Sequence, residues 1–286
     1  MNTQSNSYTF IFAAVMVLIV AAILSFTAFN LQPLQEQNVK VEKYQNILAS
    51  VKIESTPANA EELFNQYITG DMVLDANGNV LDGKGFDVKL KPEVDLMYEA
   101  KRLVSELGKV SADQKASIEE QLATIKTERR LPLFTCSKED GDFIIIPVQG
   151  KGLWGPIWGF VSLEMDYNTI YGAIFAHKGE TPGLGAEIDQ TWFQEPFQGK
   201  KIFKADGTFV GINVYKGGFE AVGDFDHGID GISGGTITSV GLEAMIKDCL
   251  VDYAPYFKAQ MAKESSEPEE VSEPEVSEAV TNSQEI

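Results

Sequence analysis

The residues in this chain whose types and spacing could do chemistry crowd into one stretch, Asp230-Gly231-Ile232-Ser233-Gly234-Gly235-Thr236-Ile237-Thr238-Ser239. Four hydroxyls flank two adjacent glycines. An apolar helical pattern follows at Val240, Met245, Leu250, Tyr253 and Phe257. Glycine lets a backbone turn tightly and lets a bulky ligand come close. Hydroxyls at the mouth of a helix meet free backbone N–H groups and a partial positive charge, so the stretch suits a phosphate. The same residues also fit an ordinary helix start with Ser233 or Thr236 as N-cap. A second glycine-rich loop runs from His177 to Glu187, with three glycines and Pro182 between Gly179 and Gly185. That composition dictates unusual backbone angles, in a plain surface turn as much as in a ligand loop.

Other chemistries find little support. The two histidines, His177 and His227, are too few and too far apart to mark a metal site, and no Cys/His ligand spacing occurs. No Gly-x-Ser-x-Gly elbow supports a serine hydrolase. The net charge of −19, from 42 acidic and 23 basic residues, opposes nucleic-acid binding, which relies on Lys and Arg against phosphate. Cys136 and Cys249 read as two buried thiols, although an oxidising compartment leaves a disulfide open.

The elements that must position these loops begin with an apolar run. Thr9 to Phe29 holds 21 residues without a charge, long enough as a helix to span a hydrocarbon core of about 30 Å. Residues 1–8 carry no Lys or Arg, and the run exceeds a signal-peptide core, so an uncleaved single-pass anchor is expected. The flanking charges are mixed and give no clear orientation. Asn30 to Pro33 is expected to break the run, with helices over 34–52 and 61–68 beyond it. Asn77-Gly78 between Val73-Leu74 and Val80-Leu81 predicts a hairpin. Residues 92–130 read as a helical hairpin broken at Gly108 and restarted by a capping box at Ser111 and Gln114. Strands are expected over Phe143–Val148, Trp158–Leu163, Thr169–Ala176, Lys200–Phe203 and Phe209–Val214. Pro255 is read as ending the last helix near Phe257. The tail from 264 to 286 carries eight Glu and no Lys or Arg, and is expected to be disordered.

Asp230-Gly231-x-Ser233-Gly234-x-Thr236 resembles the flavinylation motif of the FMN-binding domains in bacterial respiratory complexes, with Gly235 where that family usually has Ala. The Gly179–Gly185 loop (Gly-Glu-Thr-Pro-Gly-Leu-Gly) matches a second signature of the family, and Gly152-Leu153-Trp154 and Lys216-Gly217-Gly218 match segments common in it. The resemblance implies covalent FMN, joined through its phosphate to Thr236 by a flavin transferase. It implies a phosphate cradle at Ser233, Gly234 and Gly235. Glu180, Thr181, Gly183 and Leu184 would face the isoalloxazine, with Leu153, Trp154 and Lys216 nearby. Asp230 would serve recognition by the transferase and hydrogen bonding within the loop. The implied fold is α+β: one transmembrane helix, then an extracytoplasmic FMN-binding domain with an antiparallel sheet and packed helices. The expected layout is a cytoplasmic N-terminus at 1–8, the membrane helix at 9–29, a stalk and helical region at 30–130, the flavin-binding core at 131–260 and the acidic tail at 261–286. No catalytic or metal-ligating residue is expected.

Trp192 after the loop, and Gly199-Lys200-Lys201, favour the branch found in sodium-translocating NADH:ubiquinone reductases over that of Rnf-type electron transport complexes. That branch implies an inner-membrane protein with its domain on the periplasmic side. Its partners would be the other subunits of the pump, and it would relay electrons within an NADH-oxidising, ion-transporting complex. Two other readings stay open on the residues alone: an anchored binding module without flavin, and a maturation or signalling protein with an FMN-binding domain.

Overall fold

The computed structural model describes residues 5–264. Helix α1 (Asn6–Ser50) is continuous and opens at Ser5, whose hydroxyl accepts the Tyr8 N–H at 3.3 Å. The expected break at Asn30–Pro33 does not occur, and Pro33 lies inside the helix. A proline removes one ladder donor. The neighbouring Leu31, Gln32, Leu34, Gln35 and Glu36 are good helix formers, so the ladder resumes around that single gap. The most apolar window of α1 has a mean hydropathy of 2.8 and none of it is buried, and the helix is long and apolar enough to cross a membrane. At 1.5 Å per residue, α1 is roughly 68 Å long, more than twice a hydrocarbon core. Its far end is part of the domain: Tyr44, Ile47, Leu48 and Val51 are buried with Phe64 of α2 (Ala60–Tyr67).

Strands β1 (Ile68–Leu74) and β2 (Val80–Leu81) form the expected hairpin, pairing Val73 with Leu81 and Leu74 with Val80. Asp75 fastens the turn by accepting the Asn77 and Asn79 N–H groups at 2.9 and 2.8 Å, and Gly78 has φ +88°. Burial pushes the Asp75 carboxyl up. The hydrogen bonds from Asn79 and Asn77 outweigh that and hold it below the usual carboxylate range. The helical hairpin follows as α3 (Leu90–Leu107) and α4 (Ala112–Glu128), the second opened by the Ser111/Gln114 capping box. The two helices share a small core of Leu103, Ile118 and Ile125.

Strands β3 (Leu131–Lys138), β4 (Gly141–Lys151), β5 (Pro156–Glu164) and β6 (Ile170–His177) complete a six-stranded antiparallel sheet in the order β2-β1-β3-β4-β5-β6. Both faces are covered, and alternate residues divide between them. Leu131, Leu133, Ile144, Ile146, Val148, Val161 and Phe175 enter one core, while Phe134, Cys136, Phe143, Ile145 and Phe160 join the end of α1 and α2 in the other. Cys249 belongs to the first core, so the two thiols lie on opposite faces of the sheet, both free and buried.

Phe193 and Phe197 anchor the segment after β6, which holds the short helix α5 (Thr191–Gln194). Of the strands expected over Lys200–Phe203 and Phe209–Val214, only Asn213 and Val214 fall in a regular strand. Only single bridges join Thr169 to Lys201 and Phe203 to Phe209. Side-chain acceptors have taken the ladder donors there, since the Ile202 and Phe203 N–H groups both go to Asn168 Oδ1. The regular pairing is instead parallel, between β7 (Asn213–Tyr215) and β8 (Gly228–Asp230). Helix α6 (Thr236–Leu250) then packs on the sheet through Leu242, Met245 and Ile246. Pro255 does not end the helical region. After one tighter turn at Val251–Tyr253 it sits in the first turn of α7 (Ala254–Glu264), where its missing N–H costs no ladder bond. Of the tail expected at 261–286, Met261 to Glu264 instead complete α7, and the rest, with residues 1–4, lies outside the described residues.

Candidate functional site

The two glycine-rich loops meet at the start of α6. The turn at Ile232–Gly235 is closed by the Gly235 N–H on the Ile232 carbonyl at 3.0 Å, and the Ser239 hydroxyl reaches back to accept the Ile232 N–H at 3.1 Å. Gly234 has φ +77°, a conformation that disfavours any side chain. Gly235 occupies the N-cap, so no side chain caps the helix. Facing this turn, the 179–185 loop is also fastened. Glu187 accepts the Gly183 N–H at 3.1 Å and the Trp192 indole N–H at 3.2 Å, and the Leu184 and Ala186 N–H groups converge on the Thr181 carbonyl.

Between the loops lies a cavity of about 230 Å³, with Leu153, Thr181 and Leu184 on one side and Gly234, Gly235 and Thr236 on the other. Glu180, Gly185, Ile237 and Thr238 complete its wall. Thr236 is exposed, whereas Thr238 is 1% exposed. A Cβ at Gly234 would lie 2.6 Å from Leu184 Cδ2, and one at Gly235 would lie 2.9 Å from Ile232 Cγ2. The missing side chains thus keep open the space beside Thr236. Apolar side chains stand exposed around this region: Leu153, Trp154, Leu184, Trp192, Ile237 and Val240.

Glu180 is buried at 4% exposure, and protein groups take both its oxygens. Oε1 accepts the Trp154 N–H at 2.8 Å and Oε2 accepts the Thr238 hydroxyl at 2.6 Å. Its own N–H donates to His177 Nδ1 at 3.1 Å.

Of the residues singled out in the sequence, Glu180, Thr181, Leu184, Leu153, Gly234, Gly235 and Thr236 line one cavity. Ser233 and Gly183 belong to its loops without lining it. Trp154 is 68% exposed beside it. Asp230 and Lys216 lie at the ends of β8 and β7 instead, where Asp230 Oδ1 accepts the Phe219 N–H at 2.8 Å and the Gly231 N–H meets the Tyr215 carbonyl. His227 is buried against the Lys201 carbonyl. Gly185, Ile237 and Thr238 also form the wall; they belong to the two stretches named in the sequence, but the sequence predicts no flavin contact for them. The run of hydroxyls in the α6 start was the available signal for Thr238. A larger cavity of about 680 Å³, between α1 and β5, contains none of these residues.

An uncapped helix N-terminus, two side-chain-free positions and an exposed hydroxyl beside an apolar rim suit a phosphate-bearing ligand with an apolar part. The domain is of the FMN-binding class, and the family model described as FMN-binding domain matches residues 152–251. Among similar proteins, the C subunit of the Na(+)-translocating NADH-quinone reductase of Haemophilus ducreyi is 31% identical over 86% of this chain and 90% of its own. Its counterpart in Vibrio vulnificus is 33% identical, over 79% and 83%. The crystal structure of the same protein from Parabacteroides distasonis superposes with a TM-score of 0.63 at 33% identity, covering 79% of this chain and 96% of that one. That of Shewanella oneidensis NqrC shares the fold at a TM-score of 0.58 and 23% identity, over 79% and 99%. The chain belongs to the NqrC family, the C subunits of Na(+)-translocating NADH-quinone reductases.

Proposed function

We propose that this chain is the flavin-carrying subunit of a sodium-translocating NADH:quinone reductase, with FMN joined through its phosphate to the Thr236 hydroxyl. The observation that carries the reading is the exposed Thr236 at an uncapped helix start, facing the 180–185 loop across a cavity. FMN supplies the electron-transfer chemistry when bound. The protein supplies position and environment. Attachment would form a bond from Thr236 Oγ to phosphorus while the phosphoanhydride of a flavin dinucleotide donor breaks and its nucleoside monophosphate leaves. The hydroxyl proton passes to the transferase that presents the donor. The N–H groups of the first turn of α6 solvate the remaining phosphate charge. Leu153, Leu184 and Ile237 offer apolar surface to a ring, and Thr181 offers a polar contact at the rim. The Glu180 carboxylate at the wall disfavours negative charge near it and so lowers the potential of a neighbouring flavin.

On this reading helix α1 anchors the domain to the inner membrane, and the domain faces the periplasm. The other pump subunits exchange electrons with it and hold the sodium path, because the span from Thr9 to Phe29 has no charged residue to hold an ion. The test is a denaturing gel of the full chain co-expressed with a flavin transferase, scanned for flavin fluorescence beside Thr236→Ala. A fluorescent band that the substitution abolishes is expected. Equal, dark bands would return the chain to an anchored module whose hydroxyls serve only the helix start.

A further inference from the structure

Four acidic, basic or imidazole side chains are buried among the described residues: Asp75, Arg129, Glu180 and His227. Asp75 serves its own turn, Arg129 pairs with Asp252 at 2.7 Å, and His227 meets a carbonyl. Glu180 differs from them. It has no ion-pair partner among the described residues, and its donors come from two distant segments, Trp154 26 positions before it and Thr238 58 positions after. The chain makes room for it on both sides. A Cβ at Gly152 would lie 2.5 Å from Oε1, and one at Gly185 would lie 2.6 Å from Oε2. One carboxylate therefore joins the loop after β4, the 179–185 loop and the first turn of α6.

Helix geometry gives this junction a consequence. Successive residues advance about 100°, so side chains two apart point roughly 200° apart. Holding the Thr238 hydroxyl inward turns Thr236 outward, and Thr238 is indeed buried while Thr236 is exposed. We propose that Glu180 and Thr238 are positioning residues, a buried latch that fixes the rotation of the first turn of α6 and so presents the Thr236 hydroxyl for flavin attachment. The latch rests on Thr236 being the attachment point, but it is a property of the unloaded chain and can be read there.

The experiment compares wild type, Thr238→Val, Thr238→Ser and Glu180→Gln as full chains in detergent. One arm follows the rate of flavin loading by the transferase. The other follows hydrogen exchange in unloaded chain of the Ser239 and Val240 amides, the first N–H groups of α6 that bond first-turn carbonyls, Ser239 to the Gly235 carbonyl at 2.9 Å, against the amides of β4 as an internal standard. Valine keeps the shape of Thr238 and removes the donor. Loading is expected to slow by about ten- to a hundredfold, the scale of a misplaced reacting group, with faster exchange confined to those two amides. Serine restores the hydroxyl and should restore both readouts. Glutamine has one acceptor oxygen where the carboxylate has two, so it can accept from the Trp154 N–H or from the Thr238 hydroxyl but not from both. It should load more slowly than wild type and raise the flavin potential, which Thr238→Val leaves in place. Wild-type loading in Thr238→Val, or unchanged exchange of those amides in it, would overturn the latch. So would wild-type loading together with wild-type exchange in Glu180→Gln, which needs no Thr238 variant to fold. A wild-type chain that takes no flavin would sink the attachment reading and leave the exchange arm to decide the latch.

Discussion

Gly185 and Gly179 lie six residues apart in one loop, and alanine should distinguish them sharply. A Cβ at Gly185 would lie 2.4 Å from Thr238 Oγ1, 2.6 Å from Glu180 Oε2 and 3.1 Å from Thr238 Cβ. All three atoms belong to one buried contact, so no flexible tip can yield. The Glu180–Thr238 hydrogen bond must open. A hydrogen bond to a charged group contributes about 1.5–3 kcal/mol, and a buried group left unpaired costs about 1–3 kcal/mol more. The Gly185→Ala penalty is then about 2.5–6 kcal/mol, and at about 2–4 °C per kcal/mol for a domain of this size the melting point falls by roughly 5–24 °C. At Gly179 nothing lies within 4 Å of the added atom and φ is not positive, so Gly179→Ala should stay within about 0.5 kcal/mol. Tryptophan fluorescence reads the domain alone, because Trp154, Trp158 and Trp192 all lie outside α1. Two variants melting together would refute the close packing around Glu180.

Other outcomes follow from the same packing. Leu48, fully buried where α1 enters the domain, should cost about 2–5 kcal/mol on change to Ala, whereas the exposed Leu18→Ala should leave the tryptophan melt unmoved. The Asp75 carboxyl is depressed in the fold, so its contribution is present above the ordinary carboxylate pKa and lost as pH falls through the lower folded value. The stability gap between wild type and Asp75→Asn, measured by urea melts, should therefore narrow on acidification. Burial raises the thiols of Cys136 and Cys249 to about 11 and about 12. Native chain at pH 8 should resist iodoacetamide at both, and urea should expose both to alkylation.

Much of this architecture is legible locally. The capping box at Ser111 and Gln114, the Asn77-Gly78 hairpin and the apolar runs of β4, β5 and β6 each specify themselves over a few residues. The glycine-rich turn before α6 likewise announces a helix mouth. What escaped depends on contacts distant in sequence. Asn168 takes the donors of Ile202 and Phe203, which unmakes the strand expected over Lys200–Phe203. Pro33 and Pro255 both read as stops, yet one is tolerated by strong helix formers around it and the other opens a new helix. Glu180 looks like a loop carboxylate free to face a ligand. Its hydrogen bond to a hydroxyl 58 positions away has no local signature.

Thr236 is the proposed site of flavin attachment. Its most direct test is tandem mass spectrometry of proteolytic peptides spanning residues 216–247, from full chain co-expressed with a flavin transferase. An FMN phosphoester on Thr236 is expected, with Ser233, Thr238 and Ser239 unmodified. An adduct on any of those three, or an unmodified peptide from chain exposed to an active transferase, would contradict it.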